Sequence, residues 1–513
     1  MNPSVTLSTT GLTAADVLAV ARRGARVELD PEARERVAEV RAHVDELASG
    51  ATPVYGVSTG FGALADTAIP THMRQALQRS LIRSHAAGTG PEVETEVVRA
   101  LMLLRARTLA SGRTGVRPVV LETLLALLNS GITPIVHEHG SLGCSGDLAP
   151  LAHCAMVLMG EGRARNRDGT EHPVRELLAE ADIEPLELAE KEGLALINGT
   201  DGMLGMLLMA IADLVQLVRT ADVTTALTVQ GLRGRDSVFR PELHEPLRPH
   251  PGQAASAANI HALLQGSPIL DDVAAEGSRV QDAYSLRCAP QVAGGVRDLL
   301  EHARTVAERE LTAAIDNPVL LPDGTVTSNG NFHGAPVGYV LDFLAVVAAD
   351  LASIAERRTD RMLDKARSHG LPPFLAEDPG VDSGFMIAQY TQAALVSEMK
   401  RLAMPASVDS IPSSAMQEDH VSMGWNAARK LRTAVENLRR VLAIELLTAA
   451  RAVDLRAPLA PSPASIAVID VLRETVPGPG PDRFLAPDIA EAEARLVDGS
   501  ILAAAERGIG PLR

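Results

Sequence analysis

The sequence predicts a mainly α protein: an elongated central helix bundle with a smaller mixed domain at the N-terminus. Three observations carry this. Hydrophobic residues make up 46% of 513 positions but aromatic residues only 2%, with one Trp, four Tyr and seven Phe. The core must therefore be built from Ala, Leu, Val and Met, which suit close-packed helices better than sheets. Leu341, Leu344, Ala348, Leu351 and Ala355 recur at alternating spacings of 3 and 4, the pattern of a helix burying a seam. From Trp425 to Ala457 there is no Gly or Pro, and Leu431, Val435, Leu438 and Leu442 fall on one stripe. A helix of about 30 residues rises about 45 Å, more than an ordinary globular helix.

Taken in order, the chain opens with short β-type runs (Val5-Thr-Leu-Ser, Val27-Glu-Leu) between turn residues. Helix formers then fill Thr71 to Thr108, broken at Gly88-Thr-Gly-Pro91, and a second breaker-rich zone runs from Gly131 to Gly146. A helix is expected over Leu148–Met159, with Pro150 in its first turn, where a missing N–H costs nothing. Long helices follow, and a Pro-rich joint at 457–463 precedes a last, mainly helical segment. The expected organisation is an N-terminal domain at 1–200, the bundle at 201–456 and a C-terminal segment at 457–513.

A net charge of −16 and a pI near 5.4 argue against nucleic-acid and anionic-membrane partners, which need basic patches. The first residues lack the basic flank and apolar stretch of a signal peptide, and no run approaches the roughly 18 apolar residues of a spanning helix. Three cysteines in so long a chain make no disulfide framework, so a reducing cytoplasm is expected. The acidic surface and Ala/Leu seams suit a symmetric oligomer.

Candidate functional residues sit where helix patterning breaks. Five polar or Gly-rich segments interrupt the Ala/Leu background: Val54–Gly62, Gly140–Asp147, Ile197–Gly202, Ser328–Gly334 and Met416–His420. A sixth, Arg279–Arg287, concentrates hydrogen-bonding groups. Within the second, Cys144-Ser145-Gly146 lies at a helix N-terminus, where the dipole is positive. Gly146, lacking a Cβ, can bring its nitrogen to the carbonyl carbon of Cys144 and close a five-membered ring. Loss of one water there, and of the Ser145 hydroxyl as a second, leaves an exocyclic methylidene. Such a group is an electrophile, and the dipole favours negative charge developing on its ring oxygen.

Gly140-Ser-Leu-Gly-Cys-Ser-Gly-Asp-Leu-Ala-Pro-Leu151 resembles the signature of the aromatic amino acid ammonia-lyases, which form 4-methylidene-imidazole-5-one (MIO) autocatalytically from an Ala-Ser-Gly triplet. The likeness extends over nearly the whole chain, with counterparts to all six segments in order. It implies an L-aspartase-like helical fold, residues 1–200 as the MIO-forming domain and MIO built from Cys144, Ser145 and Gly146. It further implies no external cofactor or metal, and a homotetramer whose active sites are shared between subunits. Cys144 stands where most members carry Ala; the ring uses only its backbone carbonyl.

The resemblance makes Tyr55 the base for the β-proton and sets Asn198 against the electrophile and substrate. Arg287, three residues beyond Tyr284 and six beyond Gln281 on a presumed helical face, becomes a bidentate clamp for the α-carboxylate. Tyr284 and Gln281 then line the amine and MIO side, and Phe332 walls the substrate ring. A site for phenylalanine needs apolar walls, whereas one for histidine must pair two ring nitrogens, because buried unpaired polar groups are costly. Ser84-His85 occupies the family position where phenylalanine-selective members carry Phe-Leu and tyrosine-selective ones His-Leu. Glu418 matches an acidic residue near the substrate in histidine-selective members. The expected reaction is therefore non-oxidative deamination of L-histidine to trans-urocanate and ammonia, the first step of histidine degradation. Alternatives are another MIO lyase or 2,3-aminomutase and, from a different class, a metal-dependent hydrolase using His137, Glu138, His139, Asp147 and His153. Read as structure alone, each segment is a turn or cap, Asn198 precedes a helix start, and Glu418 is a capping Glu.

Overall fold

The computed structural model describes residues 4–49, 56, 59–60, 67, 69–276 and 280–513, without the side chains of 274–276. Its chain divides into two compact units: Met1–Met209 with Arg304–Asp342 and Pro405–Arg429, and Ala210–Ala303 with Phe343–Met404 and Lys430–Arg513.

Every described strand belongs to the first unit. The two N-terminal β-type runs pair as a parallel ribbon, Ser4–Leu7 with Arg26–Leu29, Val5 opposite Val27. The intervening helix Ala14–Arg23 starts at a capping box between Thr13 and Asp16 and ends at Gly24, φ +65°, a left-handed position that favours glycine. At the centre of this unit lies Thr95–Ala110, buried continuously from Val97 to Ala110 and packed against Ala14–Arg23 and Pro118–Ser130. It belongs in a core because it is buried all round, its Arg99, Arg105 and Arg107 donating to backbone carbonyls there. The expected helix after the second breaker zone spans Leu148–Leu158 and packs on Arg74–His85 and Glu192–Ile197.

In the second unit the stripe Leu431, Val435, Leu438 and Leu442 is at most 1% exposed. The seam Leu344, Ala348, Leu351 and Ala355 is at most 2% exposed. Small Ala side chains along these stripes let helices approach closely without aromatic filler. Among the ion pairs of this unit, that of Arg358 and Glu445 is buried on both sides. Arg358 donates from Nη2 to Glu445 Oε2 at 3.0 Å, and Thr224 donates to the same oxygen at 2.7 Å. A desolvated pair is stable only with such added hydrogen bonds.

Two helical stretches, 192–231 and 335–363, do hold 18-residue windows of mean hydropathy 1.7 and 1.8, which the composition alone did not suggest. Those windows are 83% and 61% buried inside the protein, so their apolar length is accounted for by core packing.

Candidate active site

Four of the six segments singled out in the sequence meet in the first unit. The Gly140–Asp147 turn is held by its backbone carbonyls: Gly143 O accepts from Ser422 Oγ at 2.7 Å and from Gly334 N at 3.2 Å, and Leu142 O accepts from Met423 N at 2.9 Å. His333 stacks on His420, ring centroids 5.6 Å apart. Since Ala335 N donates to His333 Nδ1, the proton sits on Nε2, which donates to His420 O at 3.2 Å. The Ser328–Gly334 and Met416–His420 segments are thereby tied to each other and to the turn. Phe332, next to His333, is half-buried.

Gly146 has φ +79°, and a Cβ there would lie 2.1 Å from Gly199 O and 2.4 Å from Gly199 C. The turn therefore rests directly on the Ile197–Gly202 backbone, and Asp147 N donates to Gly199 O at 2.7 Å. Asp147 is fully buried. The sequence marked it as the start of its own helix, but its side chain reaches elsewhere. Oδ2 accepts from Gly202 N at 2.9 Å and Met203 N at 3.0 Å, in the first turn of Asp201–Gly231, and Oδ1 accepts from Ser141 Oγ at 2.9 Å. One carboxyl thus caps a neighbouring helix and braces the turn. Burial pushes its pKa up to about 7 against these donors.

Glu418 completes this cluster. Its Oε1 accepts from Ser145 Oγ at 2.9 Å, and its Oε2 accepts from Cys144 Sγ at 3.0 Å and Ser413 Oγ at 3.1 Å. Burial, and next the facing Glu418, raise the Cys144 pKa to about 12, so the thiol keeps its proton and donates. The Ser413–Glu418 turn closes through an isolated bridge, and Ser414, Ala415 and Met416 all have positive φ, 52°, 53° and 69°. Three consecutive non-glycine residues there are strained by roughly 1–3 kcal/mol each. Nothing in the local sequence announces Ser413 or this backbone.

Asn198 caps the C-terminal end of Glu192–Ile197 and is 3% exposed. Its Nδ2 donates to Asn317 O at 2.9 Å, while its Oδ1 has no partner among the described residues. A buried orphan acceptor is costly and invites a donor from a ligand. Two residues that sequence reading missed fix this Asn. Asn317 also accepts through Oδ1 from Ser328 Oγ and Asn329 N. Arg105, 1% exposed, donates to Asn198 O at 2.8 Å, Ala195 O at 3.1 Å and Ile315 O at 2.9 Å and pairs with Asp201 at 3.2 Å. An Arg inside an apolar helix was the available signal.

His85 ends the Arg74–His85 helix, which packs on the helices that follow the turn and precede Asn198. Its Nδ1 faces Leu81 O at 2.9 Å. The next segment is pinned by Gly88 N donating to His153 Nε2 at 3.0 Å. Among the described residues no three His, Cys, Asp or Glu side chains form a group fit for a metal ion. Tyr55 and most of the Val54–Gly62 segment lie outside the described residues.

The sixth segment belongs to the second unit. Among its described residues only Tyr284–Arg287 is helical; Gln281 precedes the helix and does not share its face. Ala283, just before the helix, is extended at φ −64° and ψ 157°, and the buried Asp282 carboxylate beside it accepts from Arg235 N at 2.7 Å. Arg287 Nε donates to Asp282 O at 3.0 Å, and its guanidinium lies 4.6 Å from the Tyr284 ring centroid. Tyr284 is 71% exposed.

Comparison with known proteins places these features in context. Residues 12–474 match the family described as aromatic amino acid lyase. Over 99% of its length the chain is 67% identical to the histidine ammonia-lyase of Streptomyces avermitilis, covering 99% of that protein, and 67% identical to that of Streptomyces coelicolor, covering all of it. Among solved structures, tyrosine aminomutase from Streptomyces globisporus superposes with a TM-score of 0.93 at 40% identity, over 99% of this chain and 100% of that one. Histidine ammonia-lyase from Trypanosoma cruzi gives 0.90 at 38%, over 98% and 95%.

Proposed function

The chain belongs to the aromatic amino acid lyase family, and on that footing we propose that it deaminates L-histidine to trans-urocanate and ammonia. The observation that carries the choice of substrate is Glu418, whose carboxylate touches both the Ser145 hydroxyl and the Cys144 thiol. An acidic group at that spot suits an imidazole N–H, whereas a phenyl ring offers its free oxygen no donor. The relatives whose names specify histidine, at 67% identity, support the same choice.

MIO from Cys144, Ser145 and Gly146 fits the residues present. Gly146 has no space for a side chain, Asp147 and Ser141 brace the turn, and Asn198 Oδ1 is an acceptor awaiting a donor. The group supplies an electrophile that makes an otherwise poor ammonia leaving step accessible. The chain's own residues do the rest. Asn198 and Glu418 hold the substrate's polar atoms, with His85 offering a second partner for the imidazole and Phe332 a wall. Arg287 clamps the α-carboxylate, with Tyr284 and Gln281 beside it, and Tyr55 takes the β-proton, for which a phenol needs a lowered pKa. A homotetramer with sites shared between subunits is part of the same reading, and Tyr284, Tyr339 and Tyr390, 71%, 48% and 61% exposed, are open to such contacts. Three free thiols agree with a reducing, cytoplasmic setting.

The test is a spectrophotometric assay of the purified protein, without added cofactor, on histidine, phenylalanine and tyrosine. Conjugated urocanate from histidine alone is expected. Cinnamate, coumarate or a β-amino acid as main product would overturn the assignment.

A further inference from the structure

Three donors share the Glu418 carboxylate, and they are not equivalent. Ser145 Oγ alone occupies Oε1, at 2.9 Å; Cys144 Sγ and Ser413 Oγ both occupy Oε2, at 3.0 and 3.1 Å. Conversion of the triplet to MIO removes the Ser145 hydroxyl as water, so Oε1 loses its only donor given by the structure while Oε2 keeps both. We infer that Cys144 and Ser413 are positioning residues that hold Oε2 and thereby leave Oε1 to meet the imidazole N–H of the substrate. This rests on the functional reading above and gives a role to the cysteine that replaces the family's usual alanine.

The two remaining donors come from different directions. Ser413 lies across the bridge at the base of the strained turn that carries Glu418. Cys144 lies in the turn that carries Ser145, and it is packed with Leu142, Ala406, Val421 and Met423. A carboxylate held from both sides cannot rotate to exchange its oxygens, and preorganisation of this kind is how a site discriminates between polar and apolar rings. The apolar packing of Cys144 also provides a contrast. If Cys144 serves only as filler, Val or Ala is a good replacement and Ser a poor one; if it serves as a donor, the order reverses.

The experiment compares Cys144→Val, Cys144→Ser, Ser413→Ala and Ser413→Thr in the full-length protein. Each is checked by intact mass for loss of two waters and assayed for kcat/KM on histidine. Cys144→Val and Ser413→Ala should mature yet lose about three- to tenfold in kcat/KM, while the donor-preserving Cys144→Ser and Ser413→Thr lose less than their apolar counterparts. The double variant Cys144→Val/Ser413→Ala should lose more than the product of the single losses, because each donor alone still fixes the same oxygen. Full activity in Cys144→Val together with loss in Cys144→Ser refutes the inference and returns Cys144 to packing. Should a Cys144 variant fail to mature, the Ser413 pair decides, since it lies outside the triplet. A parent protein inert on histidine sinks the functional reading itself, before any variant is compared, and this inference with it.

Discussion

Gly146→Ala is the sharpest test of the turn's construction. At φ +79° an alanine carries the left-handed penalty of roughly 1–2 kcal/mol. Its Cβ would also stand 2.1, 2.4 and 2.7 Å from the O, C and N of Gly199. These are backbone atoms, and Gly199 has no freedom to retreat: its own Cβ position already lies 2.4 Å from Arg105 Nη2 and 2.6 Å from Asp201 Oδ2. Relief therefore requires the turn to lift away, stretching the 2.7 Å bond from Asp147 N to Gly199 O. Overpacking of this kind costs about 1–3 kcal/mol, so the total is about 2–5 kcal/mol. The ring-forming nitrogen moves with the turn, so the variant should keep its full mass, without loss of two waters, and show a lowered denaturation midpoint. Intact mass spectrometry and urea unfolding followed by circular dichroism measure both. A Gly146→Ala protein lighter by two waters and as stable as the parent would refute the reasoning.

Four other perturbations follow from the same coordinates. Asp147 is lifted to about 7 in the folded protein from an ordinary 3.8, so its stabilising contribution is full below about pH 4 and fades as pH rises through 7, by up to 1.4 kcal/mol per pH unit. Against Asp147→Asn, which does not titrate, the stability difference from the parent should fall between pH 4 and 7 and then level off in urea titrations. Lys191 and Asp316 form a 2.6 Å ion pair with neither side chain exposed; Lys191→Met should cost about 3–5 kcal/mol, and adding Asp316→Asn should recover most of it. Asn198→Ala should lower kcat/KM on histidine more than tenfold while costing only about 1 kcal/mol of stability, the worth of its one bond to Asn317. Arg287→Lys should raise KM for histidine roughly tenfold with maturation unchanged by mass, since an ammonium cannot grip a carboxylate with two parallel bonds.

How much of this was legible in the sequence divides by range of interaction. The mainly α architecture was, because Leu431, Val435, Leu438 and Leu442 state a helical face locally and need only a partner to bury it. The 3-and-3 spacing of Gln281, Tyr284 and Arg287 misled, because the chain is extended at Ala283, next to an Asp282 whose side chain is taken up by Arg235 N, 47 residues away in sequence. Asp147 shows the same limit in a subtler form. Its position before an apolar run reads as the cap of its own helix, yet it caps Asp201–Gly231, over fifty residues on. Ser413 and Asn317 carried no sequence signal at all, since their importance lies wholly in what they touch.

The scarce aromatics turn on the same point. A chain with twelve aromatic residues could have spent them on its core, and Trp425 and Phe239, at most 1% exposed, are spent so. The three described tyrosines and Phe343 and Phe484 instead stand 48–78% exposed. In an isolated chain that arrangement forgoes about 25 cal/mol for each Å² of apolar surface left in water, offset at Tyr284 by the Arg287 guanidinium over its ring. Contact with further copies of the chain, as proposed above, would recover that term. The Ala/Leu interior thus does without most aromatic packing, which is why composition leaves so many of the few rings free to stand at the surface.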